Sequence, residues 1–135
     1  MLKMSDKSGY GCGMNTFIAK QWGLGDRQIS FLGVPSVFLR GYSNRMEKPI
    51  STTEMAFVLH LMSYSRPDGN LPHPSIGTLA KLMGKTPRTV QRVSSSLQKK
   101  GYLRIPAKDE TFETNLYDLG GLRREIRELL NDDLP

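Results

Sequence analysis

The sequence has few of the residues that build disulfides and metal centres, and it has no long apolar run. Its 135 residues include one cysteine, Cys12, and two histidines. A single cysteine can form neither an internal disulfide nor a multi-thiolate zinc site. The most apolar stretch, Ala56–Met62, is far shorter than the about 20 residues of a membrane helix. The N-terminus also lacks the apolar run of a secretory signal. We therefore expect a reduced, cytoplasmic protein without a metal or other cofactor and without membrane contact.

The residue patterns of common enzyme sites are also missing. No paired carboxylates, no nucleophile with a nearby base and no metal-ligand spacing can be found. Gly9, Gly11 and Gly13 recur at short spacing, but no Lys-Ser or Lys-Thr follows them. A phosphate-binding loop needs that lysine and hydroxyl. We therefore expect a binding protein and not an enzyme.

Acidic residues are absent from residues 71–105, although the whole chain has a net charge of only +6. A solvated protein surface usually mixes both signs, so this segregation favours a footprint for a polyanion. The residues that follow, 106–118, are acidic overall. The basic side chains of the segment are Lys81, Lys85, Arg88, Arg92, Lys99, Lys100 and Arg104.

Composition and periodicity divide the chain into four segments. Residues 1–14 are polar and glycine-rich, which predicts a disordered tail. Residues 15–50 mix apolar residues with glycine and proline, which predicts an irregular extension packed on the core, with Trp22 as a packing anchor. Residues 51–118 contain clear helix and strand patterns. Residues 119–135 resume helical spacing and end in an acidic tail.

The first clear helix is predicted over Ser51–Ser65. Ser51 and Glu54 form a capping-box pattern, which satisfies free amides at a helix start. The helix is apolar on two faces and should therefore be covered on two sides. Residues 15–42 are the favoured cover, and a second copy of the chain is the alternative. The two apolar stripes are Met55, Val58, Leu59 and Met62, and Phe57, Leu61 and Tyr64.

Two shorter helices joined by a tight turn are predicted next. Ser75 begins the first, and Gly84 ends it because glycine adopts the left-handed conformation readily. Thr86 caps the second, with Pro87 at its first position, and Gly101 ends it. Their buried faces are predicted from helical spacing as Ile76, Leu79, Ala80 and Met83, and as Val90, Val93 and Leu97.

Two strands are predicted after the helices, Tyr102–Ile105 and Thr111–Tyr117, joined by Pro106–Glu110. Two helices with a tight turn followed by a hairpin are a known unit. Over Ser51–Asp118 the sequence resembles the winged helix-turn-helix family of DNA-binding domains. The resemblance rests mainly on Ala80, Gly84, Val90 and Val93, with Pro74-Ser75-Ile76, Thr89-Val90-Gln91-Arg92 and Gly101-Tyr102-Leu103.

Within that family the sequence looks most like the winged-helix domains near the N-termini of phage and plasmid replication proteins, including Leu116-Tyr117-Asp118-Leu119 after the wing. The resemblance implies a mainly α fold with a small β-hairpin wing, an N-terminal extension and a C-terminal helix. It also implies that the second helix of the pair enters the major groove. Its exposed residues would then contact bases: Arg88, Thr89, Gln91, Arg92 and Ser95.

A second set of residues is expected to contact phosphates. The free amides at a helix start favour an anion near Thr86, and the other members are Ser75, Lys85, Arg104 and Lys108. Lys108 is expected at the wing tip. Asp109, Glu110 and Glu113 make that wing acidic, so it ranks below the helix. Lys99 and Lys100 are expected only as a solvated helix end.

These features predict sequence-specific binding of double-stranded DNA, in replication initiation of a plasmid or phage. A small transcriptional repressor and a winged-helix protein-interaction module remain alternatives. A homodimer through residues 51–65 or residues 119–130, and contacts with other replication proteins, are also left open.

Overall fold

The computed structural model describes residues 12–25, 30–65, 68–109 and 114–133, in two compact units, Met1–Gly33 and Val34–Pro135. In the first unit helix α1 spans Cys12–Gln21. It begins inside the segment 1–14 for which a disordered tail is predicted, and the rest of that segment lies outside the described residues. Trp22, which follows α1, is 75% exposed. The interpretation of Trp22 as a packing anchor is therefore wrong.

The second unit is mainly helical, as the sequence predicts. Its helices are α2 (Ser36–Gly41), α3 (Thr52–Met62), α4 (Ile76–Met83), α5 (Pro87–Lys99) and α6 (Gly120–Asp133). Helices α3, α4 and α5 pack against one another, and α2 packs against α6. No helix of the described ranges combines the length and apolarity needed to cross a bilayer.

Helix α3 is capped as predicted, and its two apolar stripes are covered except at Tyr64, which is 38% exposed. The Ser51 hydroxyl accepts a hydrogen bond from the Glu54 amide, and the Glu54 carboxylate accepts one from the Ser51 amide. Phe57 and Leu61 are fully buried, and the Phe57 ring meets Tyr117 edge-on at 6.1 Å. The aromatic ring that covers Phe57 thus belongs to Tyr117, which comes after the hairpin in the chain. It does not come from residues 15–42, the predicted cover. Because Phe57, Leu61 and most of the first stripe are covered, the described residues give no support for a dimer through residues 51–65.

The turn between α4 and α5 follows the predicted pattern. The Ser75 hydroxyl accepts from the Thr78 amide at the start of α4, and Gly84 ends α4 with a φ of 66°. Thr86 accepts from the Thr89 amide at the start of α5. The predicted buried face of α5 is confirmed, since Val90, Val93 and Leu97 belong to the core. Their burial fixes which side of α5 faces outward.

The hairpin differs from the prediction. Strand β1 is Lys108–Asp109 and pairs antiparallel with β2, Thr114–Asn115. Within the predicted first strand, Arg104 alone pairs, in an isolated bridge to Asp118. The apolar residues Tyr102 and Leu103 are both buried in the core. Their apolar character therefore reflects core packing and not the alternation of a strand. Lys108 therefore lies in a strand opposite Asn115, and the expectation that it lies at the tip is wrong.

Helix α6 is held against the end of α5 by a close backbone approach. Gly101 ends the turn after α5 with a φ of 82°, and a Cβ added at Gly121 would overlap the carbonyl oxygen of Gly101. The Leu122 amide donates to the Tyr102 carbonyl at 3.3 Å. Leu122 and Leu129 are each 2% exposed. The predicted C-terminal helix is confirmed, and Leu122 and Leu129 of its apolar stripe are buried within the chain, whereas Leu130 is exposed.

Gly121→Ala should lower the free energy of unfolding by about 2–3 kcal/mol, because two backbones must separate to admit one methyl group. Chemical denaturation measures this. Gly77→Ala is the matched control, since the nearest atom to a Cβ there is Ser75 Oγ at 3.9 Å. Alanine is the better helix former, so this control should be neutral or stabilising by up to about 1 kcal/mol. Equal stability of the two variants would contradict the close approach.

Candidate nucleic-acid interface

The outward side of α5 forms a shallow polar depression. Four of the five residues predicted to contact bases are exposed on it. Thr89 is not among its lining residues, because this side chain is half-buried and its hydroxyl accepts from the Thr86 hydroxyl at 3.0 Å. The residues that line the depression are Arg88, Gln91, Arg92, Ser95, Ser96 and Lys99.

The residues predicted to contact phosphates do not form one cluster. Lys85 and Thr86 are exposed in the turn before α5. Ser75 lines a different groove, between the end of α3, the start of α4 and Thr114. Lys108 is exposed on β1. Of the residues predicted to contact phosphates, only Lys85 and Thr86 directly precede α5. They lie at its N-terminal end, where the backbone amides are free.

Arg104 is bound within the chain. Its Nη2 donates to Asp118 Oδ2 at 2.7 Å, and Asp118 Oδ1 accepts from the Gly120 amide at 2.8 Å. The hydrogen bond from Gly120 outweighs the effect of burial and, with Arg104, holds the pKa of Asp118 below its ordinary value. The guanidinium remains largely exposed, but its charge is balanced where it lies.

Lys100 is bound more completely, so its interpretation as a solvated helix end is wrong. Its Nζ donates to Glu54 Oε1 at 2.9 Å, to Glu54 Oε2 at 3.1 Å and to the Pro49 carbonyl at 3.0 Å. An ammonium group has three hydrogens to donate, and three acceptors surround this one. Its acidic partner is 46 residues earlier in the chain.

The carboxylate of Glu54 joins the start of α3 to the end of α5. Glu54 is 5% exposed, and Ser96 Oγ donates to its Oε2 at 2.6 Å. Burial raises the pKa of Glu54, but the bonds from Ser96, Lys100 and the Ser51 amide outweigh it, so the pKa lies below the ordinary 4.5. Glu54 is therefore charged at neutral pH, and it holds the C-terminal half of α5 in place.

Two of the seven cations in residues 71–105 are thus neutralised by Glu54 and Asp118. The five others are exposed, and no ion pair joins them to a carboxylate elsewhere in the described ranges. Three of them line the depression on α5, and the positive end of the α5 dipole adds to the field at the start of that helix. These five cations are Lys81, Lys85, Arg88, Arg92 and Lys99.

Sequence reasoning missed two residues of the depression, Ser96 and Lys99. The signal for Lys99 was present, because Gln91, Ser95 and Lys99 recur every four residues and share one side of a helix. Ser96 has the same spacing from Arg88 and Arg92, but its hydroxyl donates to Glu54, a long-range bond that the spacing does not predict. Within the described residues, no three His, Cys, Asp or Glu side chains lie together as metal ligands.

Residues 48–103 match the family model of a helix-turn-helix domain. The matched residues contain α3, α4 and α5 and end before the hairpin. A search of curated proteins finds no match to the chain. The match supports a helix-turn-helix DNA-binding domain built on the three helices that position the α5 depression.

The lowered pKa of Glu54 makes its contribution to folding depend on pH. The stabilisation is complete above the ordinary pKa of 4.5 and is lost as the pH falls through the lower pKa of the folded state. Glu54→Gln keeps an acceptor for the Ser51 amide but removes the charge. We expect it to cost about 1–2 kcal/mol near neutral pH.

Denaturant unfolding of the chain and of Glu54→Gln, from about pH 6 to about pH 3, measures this effect. The stability difference between the two should shrink as the pH falls. Glu128→Gln, on the exposed side of α6, is the control and should cost little at any pH. A difference for Glu54→Gln that stays constant across the range would contradict an ionised, ion-paired Glu54.

Proposed function

We propose that this chain binds double-stranded DNA by placing the exposed side of α5 in the major groove. The observation that carries the proposal is the α5 depression, in which free cations and polar side chains line one side of the last helix of a helix-turn-helix match. A major groove about 12 Å wide admits one α-helix. The buried row of Val90, Val93 and Leu97 turns this side of α5 away from the core.

The side chains at the centre of α5 suit base edges. The guanidinium of Arg92 can chelate O6 and N7 of guanine, and the amide of Gln91 can pair with N6 and N7 of adenine. Ser95, one turn further, can donate to or accept from either kind of base edge. Thr89 ranks below these three because the α5 cap engages its hydroxyl.

Phosphate contacts fit the positive side chains and free amides near the start of α5. Lys85 and Thr86 lie where the α5 dipole favours an anion, and Lys81 lies one turn earlier on α4. As a wing, the hairpin would offer Lys108 to DNA. Arg104, which precedes the hairpin, is already paired to Asp118. We therefore rank the hairpin second to α5 in DNA contact.

The cellular role that we propose is replication initiation on plasmid or phage DNA in the cytoplasm, without catalysis by this chain. The basis is the sequence resemblance to replication-protein winged helices. A small repressor is the alternative, and it would act as a dimer on two half-sites. A protein-interaction module is the third candidate, and the 52% exposed Leu130 on α6 is the observation that favours it.

Selection from a random duplex pool, followed by affinity measurements over a salt series, tests the proposal. The logarithm of the binding constant should fall linearly with the logarithm of salt concentration, because each phosphate contact releases counterions. Arg92→Ala should cost about 1–3 kcal/mol at the selected site and relax the preference at one base pair. Arg124→Ala, which removes an exposed arginine from α6, is the matched control and should leave base preference unchanged.

The selected site also separates the cellular roles. Two half-sites in a palindrome about one helical turn apart would favour the repressor. A site without that symmetry would favour a monomeric replication domain. No selection from the pool, or an affinity that does not respond to salt, would contradict DNA binding.

A further inference from the structure

We propose that Lys99 contacts a DNA phosphate at the C-terminal end of α5 and that Lys100, its neighbour in sequence, takes no part in the interface. This inference rests on the proposed DNA binding, and it adds Lys99 to the residues predicted from the sequence to contact DNA. The two lysines are adjacent in the chain and carry the same charge. The structure nevertheless gives them different surroundings.

The outward side of α5 consists of two neighbouring rows of residues at four-residue spacing. The first row consists of Arg88, Arg92, Ser96 and Lys100. Only the side chains of its N-terminal half, Arg88 and Arg92, are without a bond to Glu54. Ser96 and Lys100, in its C-terminal half, both bond to Glu54. The second row is Gln91, Ser95 and Lys99, and all three side chains are exposed. Lys99 is therefore the free cation at the C-terminal end of this surface.

The distance along α5 suits a contact at each end of the helix. Arg88 and Lys99 are eleven residues apart, which corresponds to about 16 Å along the axis. The major groove is about 12 Å wide. In the docking that we propose, α5 crosses the groove at an angle with its centre facing base edges, so that its two ends approach the phosphate backbones on opposite sides. A lysine there acts as a point charge toward a phosphate.

Lys100 has no comparable freedom. Its ammonium group is surrounded by the two carboxylate oxygens of Glu54 and the Pro49 carbonyl. Turning Lys100 toward DNA would leave the carboxylate of Glu54, 5% exposed, without its counter-charge, which is costly in a buried setting. Lys100 therefore positions the end of α5, and Lys99 is the lysine available to the polyanion.

The test compares Lys99→Gln, Lys99→Arg and Lys100→Gln in the full chain. The probe is a mixed-sequence duplex of about 30 base pairs, roughly three helical turns, titrated over a salt series. Thermal unfolding of each variant is measured alongside. Lys100→Gln is studied together with the double variant Glu54→Gln, Lys100→Gln, which leaves no unpaired charge buried at this position.

Lys99→Gln should reduce the magnitude of the salt slope by about 0.9, the loss of one phosphate contact. Its loss of affinity relative to the unmodified chain should then shrink about threefold between about 50 and about 200 mM salt. Its midpoint of unfolding should not change, and Lys99→Arg should restore the slope. Lys100→Gln should unfold at lower temperature, and both it and the double variant should keep the original slope while folded.

Two results would overturn the assignment. One is an unchanged salt slope in Lys99→Gln. The other is an equal loss of slope in Arg124→Gln, which removes the same charge from α6 and would point to net charge alone. Failure of the unmodified chain to bind the duplex would contradict DNA binding itself, and is thus distinguishable from failure of the role given to Lys99.

Discussion

The buried carboxylate of Glu54 is the interaction on which the arrangement of the helix-turn-helix depends. It closes the capping box at the start of α3 and accepts bonds from Ser96 and Lys100 at the far end of α5. An ionised group is kept inside a protein only when its partners offset the loss of hydration. Because those partners lie on two helices, the same bonds fix where α5 ends relative to α3. Val90, Val93 and Leu97 fix its rotation, so the direction of its polar side follows from both constraints.

Ion pairs within the chain reduce the positive charge that residues 71–105 can present to a ligand. Seven basic residues lie between residues 71 and 105, but charge in a sequence is not the same as charge offered to a ligand. Glu54 and Asp118 neutralise two of them. The remaining cations surround the start of α5 and follow its exposed side. The exposed positive surface is therefore smaller and more directional than the composition indicates, and it coincides with the residues that we propose to contact base edges.

Local signals in the sequence predicted the local structure well. Ser51, Ser75 and Thr86 cap helices as expected, Gly84 ends α4, and the buried row of α5 is confirmed. Long-range pairing was not predictable. The partner of Lys100 lies 46 residues away, and no local pattern connects them. The first strand was predicted too early in the chain because Tyr102 and Leu103, which pack in the core, are apolar. Over so short a segment, apolar core residues cannot be distinguished from the pattern of a strand.

The exposed side of α5 is the surface that we propose to meet DNA. Backbone amide NMR of the full chain, titrated with the selected duplex, tests it most directly. We expect the largest chemical-shift changes in residues 85–99, with α6 little affected. They should be strongest at Arg88, Gln91, Arg92, Ser95 and Lys99. Changes concentrated on α1 or α6, with α5 unperturbed at saturating duplex, would contradict it.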